Sequence, residues 1–202
     1  MSPRPYRMDK REAATNETRL RILEATREIL ADESQDALSM EAIARRADVS
    51  RLTIYYQFKS RPALLEALYD YLAARGNMRR MAEVFHEPDP FAALEKVVSV
   101  FVGFWSSDRL VIRRLRAMAG LDSEIAQGIQ SRDTRRRHIA GEILKRIMQA
   151  GNRKCDPDEL NATADVIAML TGFATYDALA TAGHREKEII AIIARLVHFA
   201  AS

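Results

Sequence analysis

The stretch that decides the fold is LSMEAIARRADVSRLTIYYQFKSRPALL, residues 38–65. A serine announces each of its three segments: Ser39 before MEAIARRA, Ser50 before RLTIYYQF and Ser60 before RPALL. A serine hydroxyl there accepts a hydrogen bond from a first-turn N–H that has no partner within the helix. Pro62 is acceptable for the same reason, since that N–H is not needed. Ile43, Ala44 and Ala47 recur at helical spacing in the first segment, and Leu64, Leu65, Leu68, Tyr69 and Leu72 continue such a stripe from the third. Two short helices joined across Asp48-Val49-Ser50 form the unit that can lay its second helix in the major groove of DNA.

The charge pattern supports that use. Residues 45–61 carry Arg45, Arg46, Arg51, Lys59 and Arg61 against Asp48 alone, a local +4. Residues 24–41 carry six carboxylates against Arg27 alone, a local −5, so the chain's net +3 conceals opposed poles. The basic pole suits phosphate, and the acidic segment is expected to face away from DNA.

Upstream, Ile22, Leu23, Thr26, Ile29 and Leu30 share one face of a first helix that starts near Glu17 and fades by Ser34. Residues 1–15 are polar, basic and proline-punctuated, and are expected to form a flexible arm with Arg4, Arg7, Lys10 and Arg11. Downstream, apolar periodicity predicts helices at 89–107, 108–119, 122–150, 157–182 and 185–200. Gly76, Gly120, Gly151 and Gly183 stand where helices would end in a left-handed residue. No stretch has strand-like alternation, and 8 glycines with 6 prolines are too few for a many-turned β architecture. The expectation is an all-α chain of about nine helices.

Cys155 is the only cysteine and no Cys/His cluster has metal spacing, so neither a disulfide nor a metal or cofactor is expected. The apolar run from Val97 to Trp105 is far short of the roughly 20 residues of a membrane span. The first twenty residues contain no apolar run of the signal-peptide kind. A soluble, cytoplasmic protein without a membrane partner is expected.

At residues 18–65, through TRLRILEATREIL and LSMEAIARRADVSRLTIYYQFKSRPALL, the sequence resembles the TetR family of bacterial transcriptional regulators. The resemblance implies a helix-turn-helix DNA-binding domain over residues 16–76 and a ligand-binding and dimerisation domain over 77–202. It implies that Ile54 and Phe58 pack inward while Arg51, Leu52, Thr53, Tyr55, Tyr56 and Gln57 face DNA. Arg51 can read guanine; Tyr55, Tyr56 and Lys59 look like phosphate contacts, with Ser39, Arg45 and Ser50 as further backbone contacts; a core position is the alternative for Tyr55, and Arg46 and Arg61 are either contacts or a solvated face. Three positions depart from the family pattern. Ser34 and Asp48 stand where glycine is usual, Asp48 being tolerable in a left-handed turn, and Leu52 replaces a frequent glycine, offering contact to a thymine methyl.

In the second domain the helix FAALEKVVSVFVGFW is apolar on nearly every side and belongs at the centre of a bundle. Phe101, Gly103, Phe104, Trp105, Met118, Met169, Phe173 and Tyr176 are candidates for a pocket between helices, each with ordinary core as its alternative. Thr171, Thr175 and Asp177 orient a ligand or face solvent. The basic clusters Arg109, Arg113, Arg114, Arg116 and Arg132, Arg135, Arg136, Arg137 read as solvated faces, with an anionic ligand as the alternative. The last helix is too widely apolar for one packing face, so Ile189, Ile193, Leu196 and Val197 are expected in a two-fold dimer interface. The implied function is a homodimeric repressor released from a pseudo-palindromic operator by a small-molecule effector. The alternatives are an activator or DNA binder without an effector and a small all-α enzyme. Against the last, His86, His138, His184 and His198 are scattered and no catalytic motif occurs.

Overall fold

The three serines that punctuate residues 38–65 all cap helices. The Ala42 N–H donates to Ser39 Oγ at 3.1 Å, Thr53 N–H to Ser50 Oγ at 3.0 Å and Ala63 N–H to Ser60 Oγ at 3.3 Å. The computed structural model describes residues 4–32, 38–152 and 156–202; Ser34 and Cys155 lie outside the described residues. In chain order come α1 (Arg4–Ala31), α2 (Met40–Arg46), α3 (Arg51–Phe58), α4 (Arg61–Arg75), α5 (Met81–His86) and α6 (Pro90–Ser107). They are followed by α7 (Arg109–Met118), α8 (Ser123–Ala150), α9 (Pro157–Leu170), α10 (Phe173–Thr181) and α11 (Glu186–Ala201), and a short 3-10 turn, Met78–Arg80, precedes α5. Among the described residues there is no strand. No helix there is long and apolar enough to cross a membrane.

Several helix boundaries differ from the periodicity. Residues 4–15, expected as an arm, form the opening turns of α1. Pro5 suits a first turn, and no β-branched residue follows until Thr15. The 157–182 pattern is two helices broken at Thr171-Gly172. A Cβ on Gly172 would lie 3.1 Å from the Met169 carbonyl oxygen, so only glycine fits the break comfortably. The Thr171 carbonyl accepts the Trp105 indole N–H at 2.9 Å. Of the four glycines read as left-handed caps, only Gly183 has positive φ (93°). After Gly76 and Gly151 the left-handed residue is the following asparagine, Asn77 (56°) and Asn152 (51°). Gly76 serves close approach instead, because a Cβ there would lie 2.5 Å from a Phe104 ring carbon.

Two apolar cores form. The first buries Ile22, Leu30, Ile54, Leu64, Leu68 and Leu72 of α1–α4, joined by Val111 and Leu115 of α7 and Ile125 of α8. The second fills the bundle of α6 and α8–α11 around Val97, Phe101, Ile143, Ile167 and Ile193. Phe104 packs against both. The α1–α4 unit is thus inseparable from the start of the second segment.

A polar node closes the junction. Asp108, the single residue between α6 and α7, is buried. It accepts Arg27 Nη1 of α1 at 2.9 Å and Arg75 Nε of α4 at 3.1 Å. Arg27 also grips Glu24 at 2.7 Å, and the Tyr71 hydroxyl donates to Glu24 at 2.5 Å. Hydrogen bonding from Arg27, offset in part by burial, with further help from Tyr71 and Arg75, draws the Glu24 carboxyl down to about 2. A carboxyl whose pKa is depressed by folding contributes stability above its unfolded value, and loses it as pH falls through the folded one. Urea unfolding should therefore show Glu24→Gln less stable than the parent at pH 7, with the gap narrowing from about pH 5 toward pH 2. Parallel curves across that range would contradict this role for Glu24.

Candidate functional site

Ile54 and Phe58 anchor α3 from beneath, buried in the first core, and this fixes which residues look outward. Arg51, Leu52, Tyr55 and Tyr56 are exposed, Tyr56 at 68%. Arg45 of α2 and Lys59, just past α3, are exposed beside them. The chain turns sharply at Lys59, whose φ is 68° and whose N–H donates to the Tyr55 carbonyl at 2.8 Å.

Other candidates are already engaged. Gln57 is turned toward α1, its amide donating to the Thr15 carbonyl at 3.3 Å, while its own carbonyl accepts Arg19 at 3.0 Å. The Arg19 guanidinium lies 4.2 Å above the Phe58 ring, which locks α3 against α1. Thr53 is half-buried, and its hydroxyl is 2.9 Å from Ser50 Oγ. Ser39 and Ser50 serve as caps.

The opposed charge poles are in fact paired. Arg46 meets Glu28 at 2.7 Å and Arg51 meets Glu41. Both pairs are exposed and worth little in water, so either arginine can exchange its carboxylate for a phosphate or a base. The acidic segment is therefore not wholly turned away. Arg61 differs. It binds Asp122 at 2.5 Å and also Glu124, so it straps α4 to the start of α8 and its guanidinium is engaged within the fold. Asp122 also caps α8 by accepting the Glu124 N–H at 3.1 Å.

Beneath the head lies a cavity of about 290 Å³. Phe101, Phe104 and Trp105 of α6 line it, as the sequence suggests. Met118, Met169, Phe173 and Tyr176 do not. Met118 packs on the first core, Met169 points outward, Phe173 backs Trp105 edge-on at 5.7 Å, and Tyr176 stands behind Phe173. Periodicity shows that these four lie near α6, but not which side of it each takes.

The opposite walls are Tyr69, Leu72 and Ala73 of α4, Ile112 and Leu115 of α7, and Ile129 and Ile139 of α8. The Tyr69 hydroxyl donates to the Ile125 carbonyl at 3.2 Å, and burial raises its pKa to about 12. Gly128 admits that ring, since a Cβ there would come within 2.4 Å of it.

Most members of the arginine clusters are engaged within the fold, while Arg135 stays exposed. Arg109 and Arg113 share Asp177, Arg114 donates to the Asp32 carbonyl, and Arg137 pairs with Asp165. Asp177 is thus a strut rather than a ligand contact. The hydroxyls of Thr171 and Thr175 are bound to the Ile167 and Met169 carbonyls. Arg116 and the buried Arg136 meet on Asp133 at 2.8 and 2.7 Å, at the cavity wall. Burial pushes the Asp133 carboxyl up, but the two guanidiniums outweigh it and hold it below the usual range. Asp133, the one acid in the basic run RDTRRR, was the sequence signal for this wall.

Residues 22–68 match the model of bacterial regulatory proteins, tetR family. Over that segment the chain is similar to the TetR family of regulators. It is 35% identical over 95 residues to the HTH-type transcriptional regulator UidR of Escherichia coli (strain K12), covering 46% of this chain and 47% of that protein. The chain thus spans about half the length of the curated relatives it matches. A TetR transcription regulator from Haloarcula marismortui has the same fold, with TM-score 0.69 and 15% identity over 92% of this chain and 97% of that one. FadR from Bacillus subtilis, solved in complex with stearoyl-CoA, superposes with TM-score 0.65 and 20% identity over 91% and 97%. These relatives are transcriptional regulators and not enzymes.

Against the TetR pattern, the glycine usual in the turn is Asp48, with φ 51°. A left-handed aspartate costs less than most residues, yet more than glycine. The last helix also departs from expectation. Ile189, Ile193 and Val197 are buried in their own core and unavailable to a partner. Leu196 and Phe199 point out, Phe199 at 83% exposure, as do Val166 and Met169 of α9. For the turn, Asp48→Gly should raise stability by roughly 0.5–1 kcal/mol and Asp48→Val lower it, read from urea midpoints. A Gly variant less stable than the parent would refute strain at this turn.

Proposed function

We propose that this chain is a homodimeric TetR-family repressor that works in the cytoplasm and reads a pseudo-palindromic operator with α3 of each subunit. The observation that carries the reading is the outward face of α3. Arg51, Leu52, Tyr55 and Tyr56 stand clear of the fold over a buried Ile54–Phe58 anchor, with Arg45 and Lys59 alongside. Arg51, released from its exposed partner Glu41, supplies a fork for guanine, and Leu52 an apolar contact for a thymine methyl. Tyr55, Tyr56, Arg45 and Lys59 supply phosphate contacts. Two-fold pairing through the outward stripe of Val166, Met169, Leu196 and Phe199 sets the heads for half-sites about 34 to 36 Å apart.

A small-molecule effector in the cavity ends binding. Tyr69 and Leu72 wall the cavity from α4, and α4 follows directly on α3, so an occupant that displaces α4 moves the reading helix. It lowers operator affinity only as far as it prefers the displaced state. The stearoyl-CoA held by the Bacillus subtilis neighbour supports a ligand site in this fold.

In vitro selection of bound DNA tests the reading. Arg51→Ala should relax the preference at one base pair by about 1–3 kcal/mol, whereas Lys59→Ala should weaken all sites alike and reduce the salt slope by about 1. Arg61→Ala should leave the selected sequence unchanged. Failure of the parent to enrich any sequence would overturn the assignment. For the dimer, light scattering should show Leu196→Glu with Phe199→Glu to be monomeric, while a persistent dimer would move the interface elsewhere.

A further inference from the structure

We propose that the cavity takes a small amphipathic monoanion, a carboxylate carried on an apolar body, whose head is held by Arg116, Arg136 and Arg135. The inference rests on the effector reading above for its role as a signal, but its chemistry stands on the cavity alone.

The body of the ligand follows from the walls. Leu72, Ile112, Leu115, Phe101, Phe104 and Trp105 offer it no hydrogen-bond donor directed at a polar chain. The only indole N–H is already committed to the Thr171 carbonyl. At about 290 Å³ the space equals on the order of ten water molecules, enough for a single ring or a chain of about that many heavy atoms.

The head follows from the charges. Four arginines, Arg116, Arg132, Arg135 and Arg136, line the cavity against only two carboxylates, Asp70 and Asp133. Asp133 is the inner carboxylate, and both Arg116 and Arg136 already converge on it. A cationic ligand would have to compete with two guanidiniums for that single group. An anion meets the opposite situation, since one carboxylate does not balance two arginines and their remaining N–H groups can serve a second. Burial sharpens the preference. Arg136 is 8% exposed, and its Nε–H donates to the neutral Ala168 carbonyl at 3.2 Å. Arg132 is less available, being tied to Glu66 at 3.0 Å and stacked 4.1 Å above the Tyr69 ring. Arg135 is exposed and makes no ion pair among the described residues, so it stands at the rim as the first contact for an arriving anion.

Trp105 is the only tryptophan and lines the cavity, so its fluorescence reports occupancy without any DNA present. The test titrates the full chain with octanoate, octylamine and octanol, which share a body and differ in head charge. Octanoate should change Trp105 emission saturably and bind at least about tenfold more tightly than octanol, with octylamine weakest. Asp133→Asn, which frees both guanidiniums, should tighten octanoate several-fold, and Arg135→Glu, a surface change that leaves the core intact, should weaken it several-fold. Octanol binding as well as octanoate, octylamine binding best, no probe altering Trp105 emission in the folded protein, or an octanoate affinity unchanged in Arg135→Glu would each overturn the proposal. Operator selection is a separate readout. A chain that binds octanoate but no DNA refutes the regulator and keeps the cavity assignment, and a chain that binds DNA but no probe does the reverse.

Discussion

Asp108 is one carboxylate held out of water between two helices, and the relation of the reading head to the bundle depends on it. A buried charge is tolerable only when fully partnered, and its partners arrive from α1 and α4, which are far apart in sequence. Arg27 and Arg75 must both be in place, and they can be only if α1 and α4 cross the α6–α7 corner in one arrangement. Glu24 and Tyr71 then hold Arg27 from behind. Apolar packing joins these helices too, with Val111 and Leu115 in the first core, but the hydrophobic effect is non-directional and dictates their angle less narrowly. The directional bonds supply the register.

Elsewhere too the chain uses its arginines as struts more than as a charged surface. Arg61 ties α4 to α8, Arg109 and Arg113 tie α7 to α10, Arg137 ties α8 to α9, and Arg116 and Arg136 tie α7 and α8 through Asp133. Each planar fork can meet two oxygens in one plane, a geometry lysine lacks, and this suits arginine to the helix crossings it bridges. Individually the exposed members add little stability. Together they define which helix meets which. A smaller set has partners that are exposed, or none among the described residues, chiefly Arg45, Arg51 and Lys59, and the proposed DNA reading draws on these.

That division explains what could be read in the sequence. The helix-turn-helix was legible almost residue by residue because its signals are local: three capping serines, the spacing of Ile43, Ala44 and Ala47, and the stripe of α1 from Ile22 to Leu30. The break at Thr171-Gly172 was not legible, since it depends on Arg136 and Trp105 arriving from other helices. The same holds for Arg61, whose nearest charged neighbour in sequence is Lys59 and whose neighbours in space are Asp122 and Glu124. In α11, Ile189, Ile193 and Val197 are one face and Leu196 and Phe199 another, but a stripe that wide does not say which face stays at home. In the cavity, the α6 aromatics were visible from their density; Tyr69 and Leu72 were visible only as core positions of α4, and Asp133 only as an acid among arginines.

The placement of the cavity completes the physical picture. Its walls are drawn from both cores: Tyr69, Leu72 and Leu115 from the first, Phe101, Trp105 and Ile112 from the second. A void wholly inside one core would trade occupancy only for local side-chain adjustment. A void between two cores trades it for their relative position, because filling it changes the distance between bodies that are each internally close-packed and resist deformation. Gly76 and Gly128 set that distance at its lower limit, allowing Phe104 against α4 and Tyr69 against α8 with no Cβ between. Displacing α4 from this seat costs little packing on the cavity side, where nothing of the protein fills the space. The Asp108 and Arg61 bonds at its two ends then decide whether α4 shifts as a whole or pivots. Arg75 and Arg61 are the last and first residues of that helix, and Asp108 is the more deeply buried acceptor. A pivot about the Arg75 end, carrying the α3 end with it, therefore requires the smaller loss of buried charge pairing.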